Sequence, residues 1–292
     1  MTHASRSDGL PSAPRLVTSV AELRAAVRAA RAAGRSIGLV PTMGALHEGH
    51  LSLARASRAE CGYTVASIFV NPTQFGPHED FDKYPRTLAA DLQALAACHT
   101  DLVFAPERHE VYPAGCSTAV EPPQVAGRWE GECRPGHFRG VATVVLKLFN
   151  LVQADVAFFG QKDYQQVCVI QQMVRDLNMP IEIRVCPTVR EADGLAMSSR
   201  NRYLNADQRN QAAAISRGLR QAAQLAADGQ RSAAALLAVI RGVLAEARID
   251  RIDYLAVVHP DTLEPVTAVA GPAVILIAAH VGGTRLIDNW KI

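Results

Sequence analysis

Two histidines spaced three residues apart, His47 and His50, follow an apolar run and precede a stretch of helix-forming residues. A helix N-terminus offers free N–H groups to phosphate oxygens, and two imidazoles on one turn add hydrogen-bond donors for a phosphate chain. Gly49, between them, lets a ligand approach the backbone. The segment therefore predicts phosphate binding. The alternatives are a surface histidine beside a core histidine, or a zinc pair, although no third zinc ligand is evident and metalloprotease pairs are spaced i, i+4.

A second segment, Gly160-Gln161-Lys162-Asp163, also lies between an apolar run and a predicted helix. Lys162 would add a point charge for phosphate, and the helix N-terminus would add its dipole. Asp163 alone is typical of a helix N-cap. Because two strand-to-helix junctions carry residues suited to phosphate, a shared phosphate site is a better interpretation than coincidence.

Two more segments carry polar side chains suited to small ligands. Met197-Ser198-Ser199-Arg200 offers hydroxyls and a guanidinium for phosphate oxygens, a weak signal when taken alone. In the segment of residues 69–75, an apolar run leads into Asn71 and Gln74. Their amides could bind a hydroxyl or carboxylate, although an ordinary Asn-Pro turn explains the same pattern.

The elements that must position these residues alternate between strand and helix. We predict strands at residues 36–40, 63–70, 102–104, 156–159 and 181–185. We predict helices at residues 20–33, 51–59, 87–97, 141–152 and 164–177, the first opened by a Ser19/Glu22 capping box and ended at Gly34. Alternation with short connections predicts an α/β fold with a Rossmann-like, doubly wound parallel sheet.

The pattern changes after Pro187, where helices at 206–227 and 232–247 precede strands at 254–258 and 274–279. We therefore expect two domains: residues 1–188, which bind the ligands, and residues 189–292, a smaller C-terminal α+β lid domain. The 292-residue chain has a formal net charge of +2 with both signs dispersed, which argues against nucleic-acid binding.

Composition also bears on the compartment. No apolar run is long enough to cross a bilayer, and residues 1–14 lack the apolar core of a secretory signal and are expected to form a loose terminus. The six cysteines form no C-x-x-C pair, which favours a reducing cytoplasm. We therefore expect a cytoplasmic protein without a membrane partner.

Together the four segments resemble pantothenate synthetase, the pantoate–β-alanine ligase family of the nucleotidyltransferase superfamily. The resemblance runs from about residue 36 to residue 289, and the order and spacing of its blocks are specific to this family. It implies that pantoate and ATP form a pantoyl adenylate and pyrophosphate, after which β-alanine displaces AMP to give pantothenate. It also implies a homodimer, with ATP as a substrate and Mg²⁺ as a cofactor.

The resemblance further implies roles for individual residues. His47, His50 and Lys162 would be catalytic, with His50 credited as proton donor. Gln74 and Gln166 would hold pantoate, with Gln74 also near β-alanine, and Asn71 would support them. The ATP-binding set would comprise Met43, His47, Gly49, His50, Gly160, Lys162, Asp163, Val189, Met197, Ser198, Ser199 and Arg200.

Magnesium is the point at which this sequence departs from the family pattern. Asp91 matches a metal-associated position, but Ala89 and Ala90 precede it where relatives carry a further acidic residue. Magnesium would then be held mainly by ATP and water. A lid over the cleft is expected at residues 121–139, which are rich in Pro and Gly.

Three rival functions remain open from sequence. A nucleotide-transferring relative would be expected to offer cationic groups for a phosphorylated acceptor, whereas Asn71 and Gln74 suit a hydroxy acid. An aminoacyl-tRNA synthetase is disfavoured because no basic RNA-binding appendage is present. A catalytically silent nucleotide-binding module would bind ATP without releasing pyrophosphate.

Overall fold

A computed structural model describes residues 13–77 and 79–292. Most of the predicted loose N-terminal segment, residues 1–12, lies outside the described residues. The described chain forms a six-stranded parallel sheet, followed by a three-stranded antiparallel sheet with two long helices. This is the predicted α/β class with a smaller C-terminal α+β part.

The parallel sheet has the strand order β1-β4-β3-β2-β5-β6. Its strands are β1 (Arg15–Val17), β2 (Ile37–Thr42), β3 (Tyr63–Ile68), β4 (Leu102–Phe104), β5 (Val156–Gly160) and β6 (Glu182–Cys186). The chain moves from β2 to β3 on one side and from β5 to β6 on the other. The order therefore reverses between the neighbours β2 and β5, and in open α/β sheets ligands bind beyond the carboxyl ends of the strands at such a point.

Helices cover both faces of this sheet. They are α1 (Val20–Ala32), α2 (Glu48–Glu60), α3 (Leu88–Ala97), α4 (Arg108–Val111), α5 (Glu130–Cys133), α6 (His137–Val152) and α7 (Tyr164–Asp176). Consecutive residues of β2 point to opposite faces: Leu39 packs in a core with α1, α6 and α7, and Val40 in a core with α2 and α3. Burial on both faces explains why the strands appear in the sequence as continuous apolar runs.

The C-terminal part has its own core. It comprises α8 (Ala206–Ala227), α9 (Ala233–Glu246), β7 (Ile252–Val258), β8 (Val274–Val281) and β9 (Thr284–Lys291), with strand order β7-β8-β9. The two helices pack on one face of the sheet through residues such as Leu219, Leu236 and Ile277. A smaller cluster joins Cys168 of α7 to Val258 and Leu276, so the two sheets are linked by apolar packing.

Several sequence predictions need correction at the level of single elements. The Ser19/Glu22 capping box is present, and Gly34 follows the end of α1 with a φ of 72°. Asp163 is the N-cap residue of α7, as predicted, although its side chain makes no capping hydrogen bond. Strands β1 and β9 were not predicted because β1 has only three residues and β9 buries the polar pair Asp288 and Asn289.

Among the described residues, no helix combines the length and the apolar character needed to span a membrane.

Candidate active site

The carboxyl ends of β2 and β5 open into one cavity of about 220 Å³. Because these strands are neighbours, the turn after each contributes side chains to the same space. Every residue predicted to bind ATP or substrate lines this cavity: Met43, His47, Gly49, His50, Asn71, Gln74, Gly160, Lys162, Asp163, Gln166, Val189, Met197, Ser198, Ser199 and Arg200. The fold thus brings together segments separated by more than a hundred residues.

His47 and His50 are arranged by the first turn of α2. His47 is the N-cap residue, and its Nδ1 accepts a hydrogen bond from the Gly49 N–H at 3.2 Å. The Nδ1 atom of His50 accepts from the His47 N–H at 3.4 Å, and the two ring centroids lie 4.1 Å apart. Since both Nδ1 atoms are acceptors, the neutral rings carry their proton on Nε2. Gly49 is needed here, because a Cβ atom would lie 2.9 Å from the His47 ring.

Both imidazoles are neutral at physiological pH. Burial, His50 and Lys162, in that order, lower the pKa of His47 from 6.5 to about 3. Burial and then Lys162 lower the pKa of His50 from 6.5 to about 4. The pair therefore offers neutral Nε2–H donors beside a cation, an arrangement suited to phosphate oxygens on which negative charge develops.

The second turn, after β5, is fixed from the C-terminal sheet. Asn289 of β9 is buried and donates from Nδ2 to the carbonyl oxygens of Gln161 and Lys162, both at 2.9 Å. The ammonium of Lys162 lies 3.9 Å from Asp163, and its side chain is 20% exposed. The Lys162 backbone is therefore held by the smaller sheet while its charged end lies in the cavity.

The predicted Ser-Ser-Arg segment closes another side of the cavity. Ser198 caps a 3-10 turn by accepting from the Arg200 N–H. The Arg200 guanidinium pairs with both carboxylate oxygens of Asp80, at 2.8 and 3.0 Å. Ser199 lies 3.3 Å from the hydroxyl of the buried Tyr84. The Arg200 charge is therefore balanced by the Asp80 carboxylate.

Asn71 and Gln74 belong to a 3-10 turn after β3. The Asn71 amide donates to Oε1 of Gln74 at 3.0 Å, and the Gln74 amide lies 3.3 Å from the sulfur of Met43. Asn71 is 1% exposed, whereas Gln74 reaches the cavity. Four apolar residues of the cavity wall come from α6: Val141, Val144, Val145 and Leu148.

Asp91, the predicted metal residue, does not line this cavity. It is 2% exposed, and its carboxylate accepts hydrogen bonds from the backbone N–H groups of Ala45 and Leu46 at 3.0 and 2.8 Å. The hydroxyl of Thr87 donates to the same carboxylate. Asp91 therefore fixes the loop that leads to His47. Within residues 13–77 and 79–292, no cluster of three or more His, Cys, Asp or Glu side chains is placed to hold a metal ion.

The sequence analysis assigned no site role to several residues that the structure places at or beside the cavity. Tyr84, Arg134 and His137 line it, and Asn289 supports the Lys162 turn. Arg134 and His137 are spaced three residues apart ahead of a predicted helix, as His47 and His50 are. That spacing was a usable signal, whereas nothing in the local sequence marks Asn289.

The model of the family described as Pantoate-beta-alanine ligase matches residues 15–291. The chain is 56% identical to the pantothenate synthetase of Acidobacterium capsulatum, over 94% of this chain and 96% of the relative. It is 54% identical to that of Moorella thermoacetica, over 94% of this chain and 97% of the relative. The chain belongs to the pantoate–β-alanine ligase family.

Solved structures of family members agree with this fold. The pantothenate synthetase of Thermus thermophilus superposes with a TM-score of 0.90 at 47% identity, covering 94% of this chain and 98% of that one. The pantoate-beta-alanine ligase of Francisella tularensis superposes with a TM-score of 0.78 at 34% identity, covering 95% and 97% of the two chains. The Francisella structure is a complex with Beta-gamma ATP and beta-alanine. The chain is accordingly an ATP-dependent ligase that joins pantoate and β-alanine into pantothenate.

Proposed function

We propose that this ligase works in two steps within the single cavity beyond β2 and β5. The pantoate carboxylate attacks the α-phosphorus of ATP, forming pantoyl adenylate and releasing pyrophosphate. The amine of β-alanine then attacks the acyl carbon, forming the amide and releasing AMP. The observation that carries this proposal is that His47, His50 and Lys162, from two strand-end turns, line the same cavity. The Francisella relative, complexed with Beta-gamma ATP and beta-alanine, supports both ligand classes.

In the adenylation step the protein mainly positions charge. A carboxylate is already a nucleophile, so no covalent enzyme intermediate is required, and the rate depends on alignment and on stabilising the departing pyrophosphate. Lys162 supplies a positive charge and the two imidazoles supply Nε2–H donors. Because its surroundings keep His50 neutral, we assign it hydrogen-bond donation instead of the proton donation that the family resemblance implied.

The remaining ATP contacts would come from the residues around these three. Gly49 and Gly160 would leave backbone exposed to the nucleotide, and Asp163 would contact the ribose. Val189, Met43 and the segment of residues 197–200 complete the pocket. Arg200 would exchange its partner Asp80 for phosphate oxygens when ATP binds, since a guanidinium forms paired hydrogen bonds with either group.

Pantoate would bind between the amides and the apolar wall. Gln74 and Gln166 offer hydrogen bonds to its carboxylate and hydroxyls, and Asn71 orients Gln74. The side chains of Val141 and Val144 on α6 suit the two methyl groups of pantoate. Neutral amides bind the substrate without a cation that would weaken the nucleophilic carboxylate.

Magnesium would enter with the nucleotide. Asp163 is the one acidic side chain among the described residues that line the cavity, so the chain offers no all-protein metal site there. Mg²⁺ is commonly held by substrate phosphates and water with one or two carboxylates. We propose that it binds chiefly through ATP, and we assign Asp91 no part in holding it.

Several broader proposals follow the family. Residues 1–188 and 189–292 would be two domains that meet at the cavity, and residues 121–139 would exclude water while the adenylate waits for β-alanine. This segment contains a 3-10 turn, α5 and the start of α6. We also propose a homodimer in the cytoplasm, consistent with six free cysteines, all of which lie in the described part of the chain.

A partial-reaction assay tests this proposal. With excess enzyme, ATP and pantoate alone should release pyrophosphate, and AMP should appear after β-alanine is added. His50→Ala and Lys162→Ala should each lose pyrophosphate release while remaining folded by circular dichroism. His109→Ala is the matched control, because that histidine is 72% exposed and does not line the cavity. Full activity of either cavity variant, or AMP formation without pantoate, would contradict the proposal.

A further inference from the structure

The turn that carries Gln74 is packed tightly against the first turn of α6. A Cβ atom on Gly140 would lie 2.3 Å from the Thr73 carbonyl oxygen and 2.6 Å from the Gln74 nitrogen, so only glycine allows this approach. The Asn71 amide also donates to the Gly140 carbonyl at 3.2 Å. The position of the Gln74 backbone is therefore determined by α6.

Two side chains at the start of α6 fix the Gln74 carbonyl directly. His137 is 8% exposed, and its Nδ1 lies 2.8 Å from the Gln74 oxygen, so Nδ1 carries the proton and donates. Its other ring nitrogen, Nε2, accepts from Arg134 at 3.1 Å. Arg134 adds a longer contact of 3.4 Å to the same carbonyl. The tautomer of His137 is thus set by a hydrogen-bond acceptor at Nδ1, the Gln74 carbonyl, and a hydrogen-bond donor at Nε2, the Arg134 guanidinium.

Arg134 is itself held by carboxylates on two sides. Glu79 binds its guanidinium through paired hydrogen bonds of 2.6 and 2.7 Å, and Glu130 lies 3.7 Å away. Arg285 of β9 binds both oxygens of Glu130, at 2.6 and 2.7 Å. A continuous series of contacts therefore runs from the C-terminal sheet to the carbonyl of Gln74.

We propose that His137 and Arg134 are positioning residues for pantoate: they hold the Gln74 backbone so that its side-chain amide faces the substrate. The inference rests on the proposed role of Gln74 as a pantoate ligand. Neither residue needs to touch pantoate for this role. Because Gln74 reaches the cavity from a short turn, loss of its carbonyl contacts lets the amide leave the binding position before any substrate is bound.

The test uses two amides that replace different nitrogens of the ring. In His137→Asn the amide nitrogen takes the place of Nδ1 and can still donate to Gln74. In His137→Gln the amide nitrogen takes the place of Nε2 and cannot donate to the Gln74 carbonyl. We expect His137→Gln to raise the KM for pantoate about tenfold, equivalent to about 1.4 kcal/mol. We expect His137→Asn to stay within about threefold of the parent, with kcat and the KM for ATP little changed in both.

Two further variants separate the inference from the proposed function. Gln74→Ala should raise the KM for pantoate at least as much as His137→Gln. If it does not, Gln74 is not a pantoate ligand and both ideas fail. If Gln74→Ala raises it but the two His137 variants behave alike, only the positioning role is overturned. Glu79→Gln, which loosens Arg134 without contacting Gln74, should shift the KM for pantoate in the same direction; an unchanged value would also count against the proposal.

Discussion

Acidification from pH 7 to pH 5 should destabilise this protein through its buried imidazoles. The pKa values of His47, His50 and His137 are lowered from 6.5 to about 3, 4 and 4, in each case chiefly by burial. In the unfolded chain these groups take up protons as the pH falls through 6.5, whereas in the folded protein they stay neutral until near pH 4. Stability is therefore lost as the pH falls through this window.

The size of the effect follows from the same values. At pH 5 each imidazole binds a proton in the unfolded state but hardly in the folded state, which costs about 2 kcal/mol per group relative to pH 7. The three groups together cost about 6 kcal/mol, a large share of the ~5–15 kcal/mol that stabilises a typical domain. The carboxyl groups of Glu79 and Asp80, whose pKa values are lowered from 4.5 and 3.8, lose their stabilising effect only at lower pH.

The assay is urea unfolding followed by circular dichroism at several pH values between 7 and 5. The free energy of unfolding should fall across this range, and His50→Gln should remove about a third of the fall. His109→Gln, at an exposed histidine, serves as the matched control. Its free energy of unfolding should fall between pH 7 and pH 5 by the same amount as that of the parent. If His50→Gln showed the same pH dependence as the parent, His50 would not be a buried neutral imidazole, and its assignment as a neutral hydrogen-bond donor would be refuted.

Three further substitutions test other parts of the site. Lys162→Ala should lower the rate of pantoate-dependent pyrophosphate release by about 10²-fold or more, because it removes a preorganised charge; a smaller loss in single-turnover kinetics would argue that the imidazoles suffice. Gly140→Ala should raise the KM for pantoate and lower the free energy of unfolding by about 1–3 kcal/mol, because the new methyl group would overlap the Thr73 carbonyl. An unchanged KM would show that the turn can move to accommodate the methyl group. Asp91→Asn should cost about 1–3 kcal/mol of stability by unpairing a backbone N–H, while the Mg²⁺ concentration for half-maximal activity stays at the parent value; a raised value would restore Asp91 to a metal role.

The contacts in and around the site that the sequence did not predict concern residues whose partners are distant in sequence. Asp91 was interpreted from its match to a metal-associated family position, yet the loop of Ala45 and Leu46 uses both of its oxygens. Arg134 and His137 lie in a segment interpreted as a lid. Their role depends on contact with Gln74, which lies sixty or more residues earlier in the chain.

The motifs of the sequence matched the family. The sequence by itself also determined the order of most strands and helices and the strand-end positions of His47, His50 and Lys162. Local periodicity and turn chemistry encode such features, because each depends on residues near in the chain. Only the tertiary structure decided that β2 and β5 are neighbours, so that both turns open into one cavity. It also decided the neutral state and tautomer of the histidines, since these depend on burial, on the Lys162 charge and on which backbone N–H group each ring nitrogen meets.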